Sequence, residues 1–289
     1  MGKKLIVTEK PSVGRDIARV LGIKKRGEGC LIGDEYIVTW AIGHLITLIE
    51  PDEYDPKYKR WSCETLPILP SKMKTKPVSK TKSQFQVIKK WMKDSEVDSI
   101  ICATDSGREG ELIFRYIYEY AKCTKKVERL WISSMTDEAI QKGFQELKPS
   151  QHYDGLYHSA KCRSESDWLV GMNASRAFTI QYGTLLSIGR VQTPTLAIMV
   201  NRQKEIDAFV PDDYFEIVAS LTDFDAKWID IENNQTKITK KEDADRIVGK
   251  IIGKIGKVTD IEDKQQKEAP PLLYDLTELQ RDANKRYGY

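Results

Sequence analysis

Ile100-Ile-Cys-Ala-Thr-Asp-Ser-Gly-Arg-Glu-Gly-Glu111 decides how the rest of the chain is read. Val97 to Ala103 is a short apolar run rich in Ile and Val, which predicts a buried strand. It breaks at Asp105-Ser106-Gly107, a turn built of helix-capping residues. Beyond the turn, Leu112, Ile113, Tyr116, Ile117 and Tyr120 recur at helical spacing and mark one apolar face. Asp105, Glu109 and Glu111 therefore fall at a strand end, a turn and a first helical turn, where open α/β sheets bind ligands. Acids grouped this tightly suit Mg²⁺, which takes a few oxygen ligands and leaves room for phosphate. The same acids also suit a plainer role, in which Asp105 caps the helix and the glutamates favour its positive end.

A second stretch repeats the pattern. Leu5-Ile-Val-Thr-Glu-Lys-Pro-Ser12 is another short apolar strand ending in a carboxylate, and Ser12 is placed to cap a helix carrying Ile17, Ala18, Val20 and Leu21. If the two strands are parallel neighbours, Glu9 and Asp105 converge on one sheet edge. Paired strand-end acids of this kind resemble the Toprim fold, shared by topoisomerases, primases and some nucleases. Glu-Lys-Pro-Ser together with Thr-Asp-Ser-Gly-Arg-Glu-Gly-Glu resembles the type IA DNA topoisomerases, in their bacterial topoisomerase III branch.

Composition is compatible with that resemblance. The chain has 289 residues, 31% charged and 40% hydrophobic, and the length predicts about two domains. No run of about 18 apolar residues predicts a membrane span, and Met-Gly-Lys-Lys leads straight into a strand. The five cysteines are scattered without a Cys-x-x-Cys pair, which argues against a zinc site and fits a reducing, cytoplasmic setting. Residues 1–150 hold 27 Lys and Arg against 21 Asp and Glu, whereas 151–289 hold 19 against 22. The basic half is the half with the candidate metal site, an asymmetry that suits a polyanionic partner.

Strands and helices alternate to about residue 150, predicting one α/β domain. The run Tyr36 to Ile42 reads as a strand ending at His44, which is either structural or a phosphate neighbour. Residues 50–82 read as loop. In Tyr58-Lys-Arg-Trp61, aromatic and basic residues interleave, so Trp61 either stacks a base or pins the loop. Five lysines between Lys72 and Lys82 form a solvated loop or add to a field for DNA. Phe85 to Met92 predicts a helix and Val127 to Ile132 a strand, with Thr136 capping the helix after it. Residues 153–208 read as helices. There Arg163 and Asp167 share a face, as do Trp168 and Arg176. Ser187-Ile-Gly-Arg-Val-Gln-Thr193 supplies backbone freedom at Gly189 and donors at Arg190, Gln192 and Thr193, next to a helix start at Pro194. After Pro211 the texture changes. Phe215 to Leu221, Ala226 to Glu232 and Lys257 to Ile261 predict strands, Asn233-Asn234 a hairpin turn, and Lys241 to Ile252 and Leu276 to Asn284 helices.

The resemblance spans the whole chain. It implies a Toprim domain over 1–150, part of a helical single-strand-binding domain over 151–212, part of a β-rich arch over 213–275, and the start of a nucleophile-bearing domain over 276–289. It implies that Glu9 acts as general acid, Lys10 stabilises phosphate charge, and Glu9, Asp105 and Glu109 hold Mg²⁺. Trp61, Arg163, Asp167, Trp168, Arg176, Ser187, Ile188, Gly189, Arg190, Val191, Gln192 and Thr193 are implied to contact DNA, chiefly single-stranded. The implied reaction is ATP-independent cleavage, passage and resealing of one strand through a 5′-phosphotyrosine link, relaxing or decatenating DNA, and a helicase partner is left open. Two departures stand out. Gly107 occupies the position of the family's second acid, and no Tyr-Pro-Arg-Thr-like nucleophile motif occurs, Tyr287 and Tyr289 not matching it. The chain is therefore expected to bind DNA without cleaving it. The alternatives are a non-catalytic single-stranded-DNA-binding protein and a Toprim nuclease or primase, which should lack the Ser-Ile-Gly-Arg-Val-Gln segment.

Overall fold

The structure, a computed structural model, describes residues 2–288. The described residues form two compact units, 2–207 and 208–288.

The first unit is built on a seven-stranded sheet. Its strands are β1 (Lys3–Thr8), β2 (Lys25–Gly27), β3 (Cys30–Ile32), β4 (Tyr36–Trp40), β7 (Val97–Ala103), β8 (Lys126–Arg129) and β9 (Lys148–Pro149). A separate two-stranded sheet pairs β5 (Ile46–Leu48) with β6 (Thr75–Pro77). The main order is β2-β3-β4-β1-β7-β8-β9, with β4, β1, β7 and β8 parallel and the outer strands antiparallel. Parallel strands are covered on both faces, so they read as continuous apolar runs, and alternate residues enter opposite cores. Leu5, Val7, Ile37, Ile100 and Cys102 pack beneath α3 (Lys82–Lys93) and α4 (Arg108–Ala121). Ile6, Val38, Ile101 and Ala103 pack against α1 (Pro11–Val20) and α5 (Asp137–Gln145), through Ile17, Ala18 and Ile140. Gly14 lets α1 lie close, since a Cβ there would meet Trp40 at 3.0 Å and Thr8 at 3.1 Å.

The short α2 (Pro51–Tyr54) lies in the stretch read as loop. The long α6 (Asp154–Tyr182) packs onto the sheet unit, with Tyr157 and Ala160 joining the core under α4. It is followed by α7 (Gln192–Asp207). Thr136 caps α5 as expected, its Oγ1 accepting from the Ala139 N–H. Two expected caps fail. Lys10 is the N-cap of α1, and Ser12 lies inside the helix because Pro11 already starts the first turn. Gly107 precedes α4, which leaves the Asp105 carboxylate free of capping duty.

The second unit holds a short antiparallel pair, β10 (Val218–Ser220) and β11 (Asp225–Lys227), with α8 (Lys241–Ile251) and α9 (Leu276–Tyr287). Ile217, Ile238 and Ala244 form its small core. Asn234 takes the left-handed turn conformation, with Asp230 bridging to Gln235. The strands are shorter than their sequence runs suggest. No strand forms over 257–261: Val258 and Ile261 find no partner among the described residues and lie exposed. A strand without a ladder neighbour has no place for its backbone hydrogen bonds. Among the described residues no helix is long and apolar enough to cross a membrane.

Candidate active site and nucleic-acid interface

β1 and β7 run parallel with Thr8 beside Ala103, so the residues after each strand leave the same edge together. Glu9 and Asp105 meet there. The Asp105 N–H donates to Glu9 Oε2 at 3.3 Å, and Lys10 Nζ donates to Asp105 Oδ2 at 2.8 Å. Burial, and next the Asp105 charge, push the Glu9 carboxyl above its usual range, against the pull of the Asp105 N–H, Lys10 and His44. The bond to Asp105 in turn raises the Lys10 ammonium.

The Asp105 turn is held from below. Arg129 is fully buried. Its Nη1 donates to the carbonyls of Cys102, Thr104 and Leu130 at 3.1, 2.8 and 2.9 Å, and its Nη2 to that of Asp105 at 2.8 Å. Its charge is met by Glu111 Oε2 at 3.1 Å, while Arg115 Nε donates to Glu111 Oε1 at 2.8 Å. Glu111 is therefore a buried counter-ion and not a metal candidate, because both its oxygens are taken below the sheet edge. Gly110 is needed for close approach: a Cβ there would lie 2.2 Å from the Asp105 carbonyl oxygen.

Glu109 is exposed, with His44 Nε2 at 2.6 Å from its Oε1. His44 therefore belongs to the site edge. Among the described residues no three His, Cys, Asp or Glu side chains form a ready metal cage. Glu9 and Asp105 still fit one mode of Mg²⁺ binding, in which one or two carboxylates share the ion with water and phosphate. Burial is the larger cause of the upward shift of Glu9 and the Asp105 charge adds to it; a cation would offset the charge part. Glu109 stands apart, paired with His44. Gly107 has extended backbone at φ −172°, and nothing lies within 4 Å of a Cβ built on it.

A cavity of about 460 Å³ adjoins this edge, between His44 and Glu109 on one side and Arg163, Asp167 and Trp168 on the other. Asp167 gathers two cations, with Arg190 Nε at 2.6 Å and Arg163 Nε at 3.8 Å. Trp168 is 8% exposed and its indole N–H donates to the Ile49 carbonyl at 3.0 Å, so it walls the cavity and offers no open face for stacking. Arg176, expected on the surface or on a strand, is also buried, its Nη1 donating to the Tyr58 carbonyl at 2.6 Å. Its guanidinium lies 5.1 Å from the Trp61 ring, and its Nε is without a partner among the described residues. Trp61 is 40% exposed, which leaves part of its ring to solvent.

The segment Ser187 to Thr193 folds on itself. Ile188 N–H donates to Ser175 Oγ at 2.9 Å, Gly189 N–H to Thr193 Oγ1 at 3.1 Å, and Gln192 Nε2 to Ser187 Oγ at 2.9 Å. Those bonds take the Ile188 and Gly189 N–H groups and the Gln192 amide, donors that the sequence suggested for phosphate, while Ser187, Arg190, Val191 and Gln192 lie exposed. Sequence reasoning missed Arg129 and Arg115. A charged residue inside the strand run Val127 to Ile132, and an arginine four residues after Glu111, were the available signals.

A mainly parallel sheet, helices on both faces and two carboxylates at one carboxyl edge define a Toprim protein, and the Toprim domain family matches residues 4–135. A second family, described as DNA topoisomerase, matches residues 151–289. Together the two matches take in most of the chain, and its relatives are DNA topoisomerases. It is 47% identical over 289 residues to DNA topoisomerase 3 of Bacillus subtilis (strain 168), and 49% identical over 290 residues to DNA topoisomerase 3 of Bacillus anthracis. Each comparison takes in 100% of this chain and 40% of the relative, so the chain spans well under half of their length. Full-length topoisomerase I from Thermotoga maritima shares the fold at a TM-score of 0.63 and 24% identity, over 99% of this chain and 44% of that one.

Proposed function

We propose that this chain binds single-stranded DNA beside the Glu9–Asp105 edge and supplies the acid–base and metal-binding half of a type IA strand-cleavage site. The observation that carries the reading is the convergence of Glu9, Lys10 and Asp105 next to a cavity bordered by Arg163 and Asp167, with Arg190 on Asp167. Glu9, kept protonated to higher pH than a free glutamate, is suited to give a proton to a leaving 3′ oxygen. Lys10, one residue on, is placed to offset phosphate charge. Glu9 and Asp105 would hold Mg²⁺, with Glu109 acting through water. Held there, Mg²⁺ would supply positive charge beside the phosphate. Arg190, Arg163 and the exposed part of Trp61 hold the strand by backbone and stacking, with little sequence preference. The nucleophilic tyrosine lies outside these 289 residues, since no matching motif occurs in them.

The test is binding and cleavage by the chain itself. Single-stranded DNA should bind with a log–log salt slope near −0.7 per phosphate contacted. Arg190→Ala should weaken binding across all sequences and flatten the slope by about one phosphate's share. Supercoiled plasmid should be neither relaxed nor left joined to protein, with or without Mg²⁺. Joining the chain to the remaining length of its relatives should give both activities, and Glu9→Ala should then suppress them. A covalent adduct on the 289-residue chain alone would mean that the nucleophile has been misplaced. An extended chain that binds but never cleaves would leave a single-stranded-DNA-binding protein.

A further inference from the structure

A second basic recess lies on the α1 face of the sheet, a cavity of about 540 Å³ between α1 and the β2–β3 hairpin. Pro11, Arg15 and Arg19 line it from α1, Lys24 and Arg26 from the hairpin side, and Trp40 from the end of β4. The helix residues are spaced by four, so they form one ridge, about 12 Å long at about 1.5 Å per residue. Arg19 is committed to Asp137 through a two-point ion pair at 2.9 and 2.7 Å. Arg15, Lys24 and Arg26 are exposed and have no ion-pair partner among the described residues. No carboxylate lines the cavity, and neither Asp16 nor Glu28, the acids adjoining Arg15 and Gly27 in sequence, is among its walls.

We propose that this recess binds the phosphodiester backbone of a single DNA strand continuing past the catalytic edge. The inference rests on the DNA-binding reading above and adds to it a second path. Continuity is the first argument: the ridge begins at Pro11, directly after Lys10, whose ammonium is at the site. Chemistry is the second. Three unpartnered cations with a half-buried Trp40 reproduce the pairing of charged groove and aromatic face that single-strand binders use. A bare anion needs the cations alone, whereas a strand also uses the indole.

The test measures affinity and salt slope on the 289-residue chain, for a short strand and a long one, with Arg15→Ala/Arg26→Ala. Lys89→Ala/Lys93→Ala, on α3, serves as a control with the same change of charge. The Arg15/Arg26 variant should bind the long strand about tenfold more weakly at about 0.1 M salt and flatten the slope by about 1.4, two phosphates' worth. It should leave the short strand nearly unchanged, and the control should show neither effect. A long strand carrying 4-thiothymidine should cross-link, on irradiation, to the peptide containing residues 15–31 in wild type. Identical behaviour of variant and control, or no such cross-link, would overturn the groove while leaving the Arg190 grip standing. Failure of wild type to bind any strand would overturn the underlying reading instead. A nucleoside monophosphate that blocks the cross-link as well as a strand does would assign the recess to free nucleotide.

Discussion

A carboxyl group that is part-buried beside another carboxylate keeps its proton longer, and Glu9 is in that position. Asp105→Asn removes the repulsion and keeps the burial. Carbon-13 NMR titration should therefore show Glu9 moving down in the variant yet stopping above the ordinary 4.5, because burial is the larger cause. A raised folded value means that the native state holds this proton more tightly than the unfolded chain. Glu9 thus contributes stability at acid pH, and that contribution is lost as pH rises through its folded value. On the proposed reading protons and Mg²⁺ compete for Glu9, so calorimetric Mg²⁺ affinity should rise with pH over the same interval, and less so in Asp105→Asn. Gly107→Asp adds a third acid at a position with extended backbone and open space, and should tighten Mg²⁺ binding in the same assay. Beneath the site, Glu111→Gln strands the buried Arg129 and should cost about 3–5 kcal/mol in urea unfolding.

At the scale of elements, the turn between β7 and α4 carries the site. Gly110→Ala drives a Cβ into the Asp105 carbonyl and should destabilise by about 1–3 kcal/mol. It should also shift the Glu9 titration, since Asp105 must move. The strands and helices of this region were legible in sequence because buried parallel strands are uniformly apolar and their helices keep one apolar face. Glu9 and Asp105 could be placed together from two strand ends alone. Other parts depended on neighbours far along the chain. The ring of Trp61 meets Arg176, His44 meets Glu109, and Arg129 closes on Glu111, and no local spacing encodes those meetings. Strands after residue 213 were over-read for the same reason: an apolar run such as Lys257 to Ile261 is a strand only where another strand lies beside it.

At the scale of the whole molecule, the second unit holds a long stretch without regular structure. Residues 254–275 carry no regular element and are exposed throughout. Brief trypsin digestion should cut first at Lys264 and Lys267, leaving the unit that ends at Asp207 intact on a gel. The sheet order has a consequence in time. β1 lies in the middle of the sheet, yet its two neighbours are β4 and β7, and Lys3 is paired with Val97. A ribosome adding about 5–20 residues per second needs roughly 3–12 s to move from the first partner to the second. For that interval Leu5, Ile6 and Val7 wait with one flank unmatched, and Glu9 beside them has no Asp105 to face. The Glu9–Asp105 edge is thus a late event in the birth of the chain, and early arrest of synthesis should yield a sticky strand without that edge.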